Sequence, residues 1–189
     1  METIQSECPP TEIETIEGVV IKPLNPFPDG RGFFQEIFRA NEPIFEGAHF
    51  AQWSHSKMQL NVVKAWHYHH IQTDWWYCPI GMLQTVLFDN RPESPTYRTK
   101  LEIFMGETDL YPDTQSVCVR IPPGVLHACK VFSFEAHLFY ITDETYNPND
   151  EGRWPYDSDV VDHDWGRDVI VSPKDCRAFV PTAPRKPLR

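Results

Sequence analysis

Short runs of apolar residues recur along most of the chain, and polar, turn-forming residues separate them. These runs are rich in β-branched and aromatic side chains, which favour strands over helices. The clearest of them read "LNVVKAWHYHH", "MLQTVLFD", "RTKLEIFM", "SVCVRIPP" and "AHLFYIT". Their lengths and spacing are typical of an antiparallel sandwich or barrel, so the pattern predicts an all-β protein.

Composition agrees with this prediction and suggests how the chain is organised. The 189 residues suit one domain, 41% of them are apolar, and 18 prolines against 9 glycines argue against long helices. We expect a flexible N-terminal segment at 1–14, one domain at 15–180 and a loose tail at 181–189. The acidic, turn-rich stretch that begins "YNPNDEGRW" predicts an irregular or short helical C-terminal segment within that domain.

The formal net charge of −10 narrows the classes of partner. It repels phosphate backbones and anionic membranes, so neither nucleic acid nor a membrane surface is an expected partner. The N-terminus has acids and prolines where a signal peptide needs a basic start and an apolar centre, and a cytoplasmic location is expected. Five scattered cysteines without a CxxC pair indicate neither a disulfide framework nor a zinc knuckle.

One stretch, "HYHHIQTDWWYCPIG" at 67–81, concentrates groups that bind metals or move protons. His67 and His69 would project from the same face of a strand, because side-chain direction there has a period of two. Asp74 follows them, and "PPGVLH" later ends at His127. The two elements resemble the paired motifs of the cupin barrel, where such residues converge. Three histidines and one carboxylate would suit Fe, Mn, Ni or Zn.

A wider set of sequence blocks resembles one particular family, the dTDP-4-dehydrorhamnose 3,5-epimerases. The blocks occur in matching order, and they are "DGRGFFQE" (29–36), "FAQWSHSK" (50–57), "NVVKAWHYH" (61–69), "DNRPESPTY" (89–97), "IPPGVLHA" (121–128), "HLFYITDETYNPNDEGRW" (137–154) and "VSPKD" (171–175). The resemblance implies a cupin-type jelly-roll β-barrel that works without metal. It also implies a homodimer in which strands exchanged between subunits help to close the neighbouring pocket.

The resemblance further implies the chemistry and the residues that perform it. Members of this family invert carbon centres beside the ketone of a nucleotide-linked 4-keto sugar, by removing an α-proton and returning one to the opposite face. The matching positions make His67 the base, Asp175 its carboxylate partner and Tyr140 the acid. Lys64 stands where the family has an arginine, and it keeps a cation that can stabilise the enolate.

Four further residues match positions of the family's substrate site, and they are Arg31, Glu36, Gln52 and Tyr146. His127 is a fifth candidate for substrate contact, and the alternative for it is a structural role in which a backbone carbonyl satisfies the imidazole. One departure affects the expected substrate, because "DWWY" at 74–77 stands where the family has a basic "KLVR". Losing two cations and gaining a carboxylate weakens the binding of a diphosphate. The carbohydrate, the presence of a nucleotide, and the number of centres inverted therefore stay open.

The sequence thus predicts a metal-independent epimerase or isomerase of a 4-keto sugar. The alternative is a metal-dependent cupin enzyme that uses His67, His69, Asp74 and His127. A third possibility is a protein that binds sugars or partners without turnover, and the retention of His67, Tyr140 and Asp175 argues against it.

Overall fold

The computed structural model describes residues 16–180, so the predicted segments 1–14 and 181–189 lie outside the described residues. Its helical content is a 3₁₀ turn at Pro43–Phe45. The strands in chain order are β1 (Val20–Pro23), β2 (Phe27–Asp29), β3 (Gly32–Phe34), β4 (Gln52–Gln59), β5 (Val63–His69), β6 (Asp74–Ile80), β7 (Met82–Asp89), β8 (Lys100–Gly106), β9 (Val117–Ile121), β10 (Val125–Val131), β11 (Glu135–Thr142) and β12 (Glu151–Arg153). The prediction of an all-β protein is confirmed.

Two five-stranded antiparallel sheets form the jelly roll. The first sheet has the order β1-β9-β6-β11-β4 and the second has the order β12-β5-β10-β7-β8. Their inner faces pack together through buried apolar side chains of both sheets, among them Leu83, Leu87, Val119 and Leu138. Burying this apolar surface is the main favourable contribution to folding, at roughly 25 cal/mol per Å² removed from water.

The C-terminal segment covers the outer face of the second sheet. Val161 and Trp165 pack against Trp66 and Tyr68 of β5 in a second core cluster. Of the two forms predicted for this segment, the irregular one is present, since the described part after Arg153 contains neither a helix nor a strand. Backbone hydrogen bonds fasten it to the sheet, including one from Val63 N–H to Ile170 O (2.9 Å) and one from Tyr156 N–H to Asp175 O (2.8 Å). They bring Asp175 back to β5.

Gly152 allows β12 to lie close against β5. It pairs with Tyr68, and a Cβ at position 152 would lie 2.3 Å from the Tyr68 ring. The absence of a side chain therefore lets the flanking Glu151 and Arg153 pair with His69 and His67. Within residues 16–180, no helix is long and apolar enough to cross a membrane.

Candidate active site

A cavity of about 210 Å³ opens between the two sheets, and strands of both sheets line it. Six residues predicted for proton transfer or substrate binding are among its lining residues: Gln52, Lys64, His67, His127, Tyr140 and Tyr146. They come from five separate segments of the chain. Strand β5 pairs with β10 in the second sheet, β11 pairs with β4 in the first, and the packing of the two sheets brings most of these residues together.

His67 and Asp175 form a hydrogen-bonded pair at the wall of the cavity. His67 Nε2 lies 2.9 Å from Asp175 Oδ1, although 108 positions separate them in the sequence. A carboxylate accepts a hydrogen bond, so Nε2 carries the proton and the lone pair of the neutral ring is on Nδ1. Ser172 Oγ donates to the other carboxylate oxygen at 2.8 Å, which fixes the orientation of Asp175.

These contacts keep Asp175 ionised. Burial by itself would raise the pKa of this carboxyl group, but the hydrogen bonds from His67 and Ser172 outweigh burial and hold the pKa below its usual value. Arg153 adds a favourable electrostatic contribution in the same direction. A fixed anion therefore stands behind the imidazole at neutral pH.

A second carboxylate, which the sequence analysis did not single out, lies at the other nitrogen of His67. Glu151 Oε1 is 3.8 Å from His67 Nδ1, lines the cavity, and forms an ion pair with Arg153. Glu151 lies within the block at 137–154 that carries the family resemblance, but only the pairing of β12 with β5 places it next to the base.

Lys64 and Tyr140 approach the cavity from opposite sheets. Lys64 is on β5, and its Nζ donates to Ser56 Oγ at 2.7 Å. Tyr140 is on β11 of the first sheet, so it faces His67 across the space between the sheets. A flat ring bound between His67 and Tyr140 would present one face to the imidazole and the other to the phenol.

His69, Asp74 and His127 meet in another part of the cavity lining. Each offers one ligand atom, and the three atoms lie within 4.8 Å of one another. His67, the fourth ligand of the predicted metal set, does not belong to this group, and its Nε2 is hydrogen-bonded to Asp175. Gln72, which the sequence analysis did not single out either, donates its amide to Asp74 Oδ1 at 2.6 Å and lies 3.2 Å from His69 Nε2.

His127 is buried and neutral. Burial lowers its pKa to about 3, despite the opposing influence of Asp74. Its Nδ1 lies 3.2 Å from the Val125 carbonyl oxygen, so Nδ1 carries the proton and Nε2 presents a lone pair. The backbone contact that the sequence suggested as a structural role and the exposure to the cavity thus coexist in one residue.

Gln52 and Tyr146 lie near the entrance of the cavity. The Gln52 side-chain oxygen accepts a hydrogen bond from Tyr146 N–H at 2.9 Å, which ties the loop after β11 to strand β4. Tyr146 is largely exposed, so its ring is available to a ligand that extends beyond the cavity.

Arg31 and Glu36 do not line the cavity of their own chain. Arg31 lies at the β2–β3 hairpin with its side chain 91% exposed, paired with Asp29 at 2.6 Å. Glu36 forms an ion pair with Arg39 at 2.6 Å. The single chain therefore does not bring these two predicted substrate-binding residues to His67.

Comparison with known proteins adds independent information on the family. Residues 13–180 match the sequence profile of the family described as dTDP-4-dehydrorhamnose 3,5-epimerase. The spore coat polysaccharide biosynthesis protein SpsL of Bacillus subtilis (strain 168) is 39% identical over 155 residues, covering 79% of this chain and 96% of SpsL. The dTDP-4-dehydrorhamnose 3,5-epimerase of Escherichia coli (strain K12) is 29% identical, covering 87% of this chain and 90% of that enzyme.

A solved structure of a protein from the same family is also similar to this chain. The crystal structure of the dTDP-6-deoxy-D-glucose-3,5-epimerase RmlC from Legionella pneumophila Philadelphia 1, in complex with dTDP-4-keto-L-rhamnose, superposes with a TM-score of 0.78. The two sequences are 28% identical, and the match covers 90% of this chain and 92% of that one. The similarity therefore extends over most of both chains.

Proposed function

Because the chain belongs to the dTDP-4-dehydrorhamnose 3,5-epimerase family and is a sugar epimerase, we propose that it inverts carbon centres beside the ketone of a dTDP-linked 4-keto sugar, with His67 as the base. One observation carries the proposal. The hydrogen bond of 2.9 Å between His67 Nε2 and Asp175 leaves the Nδ1 lone pair free at the cavity wall, while Tyr140 lies on the opposite wall.

The first half of the reaction is proton removal. His67 Nδ1 takes the α-proton, and the electrons of the C–H bond form the enolate, whose negative charge is on the former ketone oxygen. Asp175 stabilises the imidazolium through Nε2–H, as a carboxylate does for the histidine of a catalytic triad. Glu151, 3.8 Å from Nδ1, adds a second negative charge beside the same ring.

The second half is proton return to the opposite face. The Lys64 ammonium stabilises the enolate oxygen, and Tyr140 donates its hydroxyl proton to the carbon as the ketone re-forms. The imidazolium then loses its proton to solvent, the tyrosinate regains one, and the enzyme returns to its starting state. Inversion results because the base and the acid are on opposite sheets.

Substitution of Tyr140 allows the two halves of the proposed reaction to be measured separately. Tyr140→Phe removes the acid but leaves His67 and Asp175 in place. We expect inversion to slow by about 10²–10³-fold, in the range that general acid catalysis contributes. Incorporation of deuterium from D₂O into the unreacted substrate should continue, because His67 can return a deuteron to the face from which it took the proton. Nuclear magnetic resonance follows both processes in one sample.

Tyr97 offers a matched control for this experiment, because it is partly exposed and does not line the cavity. Tyr97→Phe should leave both rates unchanged. If Tyr140→Phe slowed deuterium incorporation and inversion equally, Tyr140 would not be the acid of the second half-reaction.

We also propose that two chains form a dimer in which the β2–β3 hairpin of one chain reaches the cavity of the other. Phe27, Phe33 and Phe34 of this hairpin are largely exposed within one chain. An apolar groove of about 500 Å³ lies on the outer face of the first sheet, and Trp53, Trp75 and Phe139 are among its lining residues. Burying the hairpin aromatics in that groove removes both apolar surfaces from water.

Such a dimer would add a second cation to the cavity, where Lys64 is the cation among the described lining residues. Arg31, at the hairpin, is exposed and carries the guanidinium that can bind a diphosphate by paired hydrogen bonds. Coexpression of two inactive chains tests this arrangement. A chain with His67→Gln lacks the base, and a chain with Arg31→Ala lacks the cation, but a mixed dimer contains one site in which both residues are present.

With random pairing, half of the dimers are mixed and each has one intact site, so about a quarter of the wild-type activity should be recovered. The control is coexpression of His67→Gln with Asp175→Asn. These two residues come from the same chain in each site, so no mixed dimer has an intact site and no activity should return. Equal recovery in both experiments, or recovery in neither, would refute the shared site.

A further inference from the structure

We propose that His69, Asp74 and His127 form a binding site for one divalent transition-metal ion, next to the His67–Asp175 pair and separate from it. Their three donor atoms lie within 4.8 Å of one another, Asp74 and His127 are buried, and His69 is partly buried. Two imidazole nitrogens and one carboxylate oxygen are donors that suit Zn²⁺, Fe²⁺, Co²⁺, Ni²⁺ or Mn²⁺.

The hydrogen bonds around the two imidazoles direct their lone pairs to this common point. His127 Nδ1 must donate to the Val125 carbonyl oxygen, which leaves the lone pair on Nε2, 3.7 Å from Asp74 Oδ2. The Gln72 amide nitrogen can only donate, so His69 accepts from it through Nε2 and carries its proton on Nδ1. Both Nε2 atoms are therefore electron-pair donors that face a carboxylate.

The group behind the His127 imidazole resembles the outer shell of a metal-binding histidine. Such histidines donate their other ring N–H to a carbonyl or a carboxylate, which fixes the ring and makes it a stronger ligand. His127 Nδ1–H meets the Val125 carbonyl, whereas His69 Nδ1 has no hydrogen-bond partner within the described residues and lies 3.8 Å from the charged Asp150 Oδ2. Backbone N–H groups of His70 and Ile71 hold Asp150 in place at 2.9 and 3.0 Å.

The charge of the cavity also favours a cation at this point. Asp74 and Glu151 line the cavity, Asp175 lies behind His67, and Lys64 is the cation of the lining. Arg153 is engaged with Glu151. A sugar diphosphate would add about two negative charges, so a divalent ion bound by Asp74 reduces the electrostatic cost of substrate binding.

Binding of the ion would not use His67 as a ligand, so His67 would stay available as the proposed base. His67 Nε2 is bonded to Asp175, so proton transfer and metal binding use different residues. The Gln72 amide, which now bridges His69 and Asp74, is the group that an ion would replace. With three protein ligands, coordination positions are left for an oxygen of the sugar. This role rests on the proposed function, whereas the site itself can be tested without substrate.

Titration of the purified protein with CoCl₂, after treatment with a chelator, tests the site directly. We expect one equivalent of Co²⁺ per chain by calorimetry, and visible absorption bands from an ion with nitrogen and oxygen ligands. His69→Gln and Asp74→Asn should each weaken Co²⁺ binding more than the roughly 10–100-fold typical of outer-shell substitutions. Circular dichroism and thermal melting verify that both variants are folded.

The matched control is His55→Gln. His55 forms an exposed pair with His137, with Nε2 and Nδ1 3.0 Å apart, and it does not line the cavity. This substitution should leave the affinity for Co²⁺ unchanged. Absence of stoichiometric binding would overturn the proposal, as would binding that survives His69→Gln and Asp74→Asn or is lost in His55→Gln. The Co²⁺ titration contains no substrate, so it tests the metal site alone. The epimerase mechanism is tested separately by the exchange of α-protons with D₂O.

Discussion

Replacement of His67 by glutamine is expected to lower the rate of α-proton exchange with D₂O by about 10³–10⁴-fold, because it removes the proposed base. A glutamine side chain can keep a hydrogen bond to Asp175 but has no basic nitrogen. Substrate binding should change little, so the loss should appear in kcat rather than in KM. Nuclear magnetic resonance of the substrate α-positions in D₂O, under single-turnover and steady-state conditions, measures both.

His55→Gln serves as the control, because His55 lies outside the cavity and has its own partner in His137. This variant should exchange α-protons at the wild-type rate. Retention of rapid exchange in His67→Gln, with the control unchanged, would show that another group removes the proton and would reject the proposed mechanism.

Asp175→Asn is expected to have the second-largest effect, a decrease in kcat of about 10²–10⁴-fold with little change in KM. The reason lies in the tautomer of His67. The carboxylate accepts Nε2–H and leaves the Nδ1 lone pair facing the cavity, whereas an asparagine amide can donate to Nε2 and thereby move the proton to Nδ1. The base would then be protonated on the nitrogen that has to accept the α-proton.

A carboxylate outside the cavity provides the comparison for this variant. Asp157 follows Tyr156 in the same irregular C-terminal segment and does not line the cavity. Asp157→Asn removes one negative charge at a distance and should leave kcat unchanged. If both substitutions lowered kcat equally, the effect of Asp175 would be one of general charge or of segment stability, and its role in orienting His67 would be rejected.

Much of the fold could be predicted because strand-forming residues are concentrated in short runs with turn signals between them. The runs that contain His67 and Tyr140 are strands β5 and β11 of the structure. Strand periodicity also placed His67 and His69 on one face, and both line the cavity. The family resemblance agreed with the sequence profile match over residues 13–180.

The arrangement of the candidate site could be predicted from the sequence less well than the fold. Strict alternation along β5 would put Lys64 and His67 on opposite faces, because three positions separate them. Both nevertheless line the cavity, and the pairing of β5 with β10 shifts register between Cys129–Lys64 and His127–His67. A register shift of this kind changes the direction in which side chains point, and local sequence patterns carry little information about it.

By itself, the sequence determined the all-β class, the strands that carry His67 and Tyr140, and the family. These properties depend on local side-chain preferences and on motifs whose order along the chain is visible. Only the tertiary structure decided which groups surround His67, and these are Asp175 from a segment 108 positions away and Glu151 from β12. It also decided that His67 lies apart from the cluster of His69, Asp74 and His127. The physical reason is that these contacts arise from long-range strand pairing and from the return of an irregular segment across the second sheet, and hydrogen-bond geometry between such distant parts has no counterpart in sequence spacing.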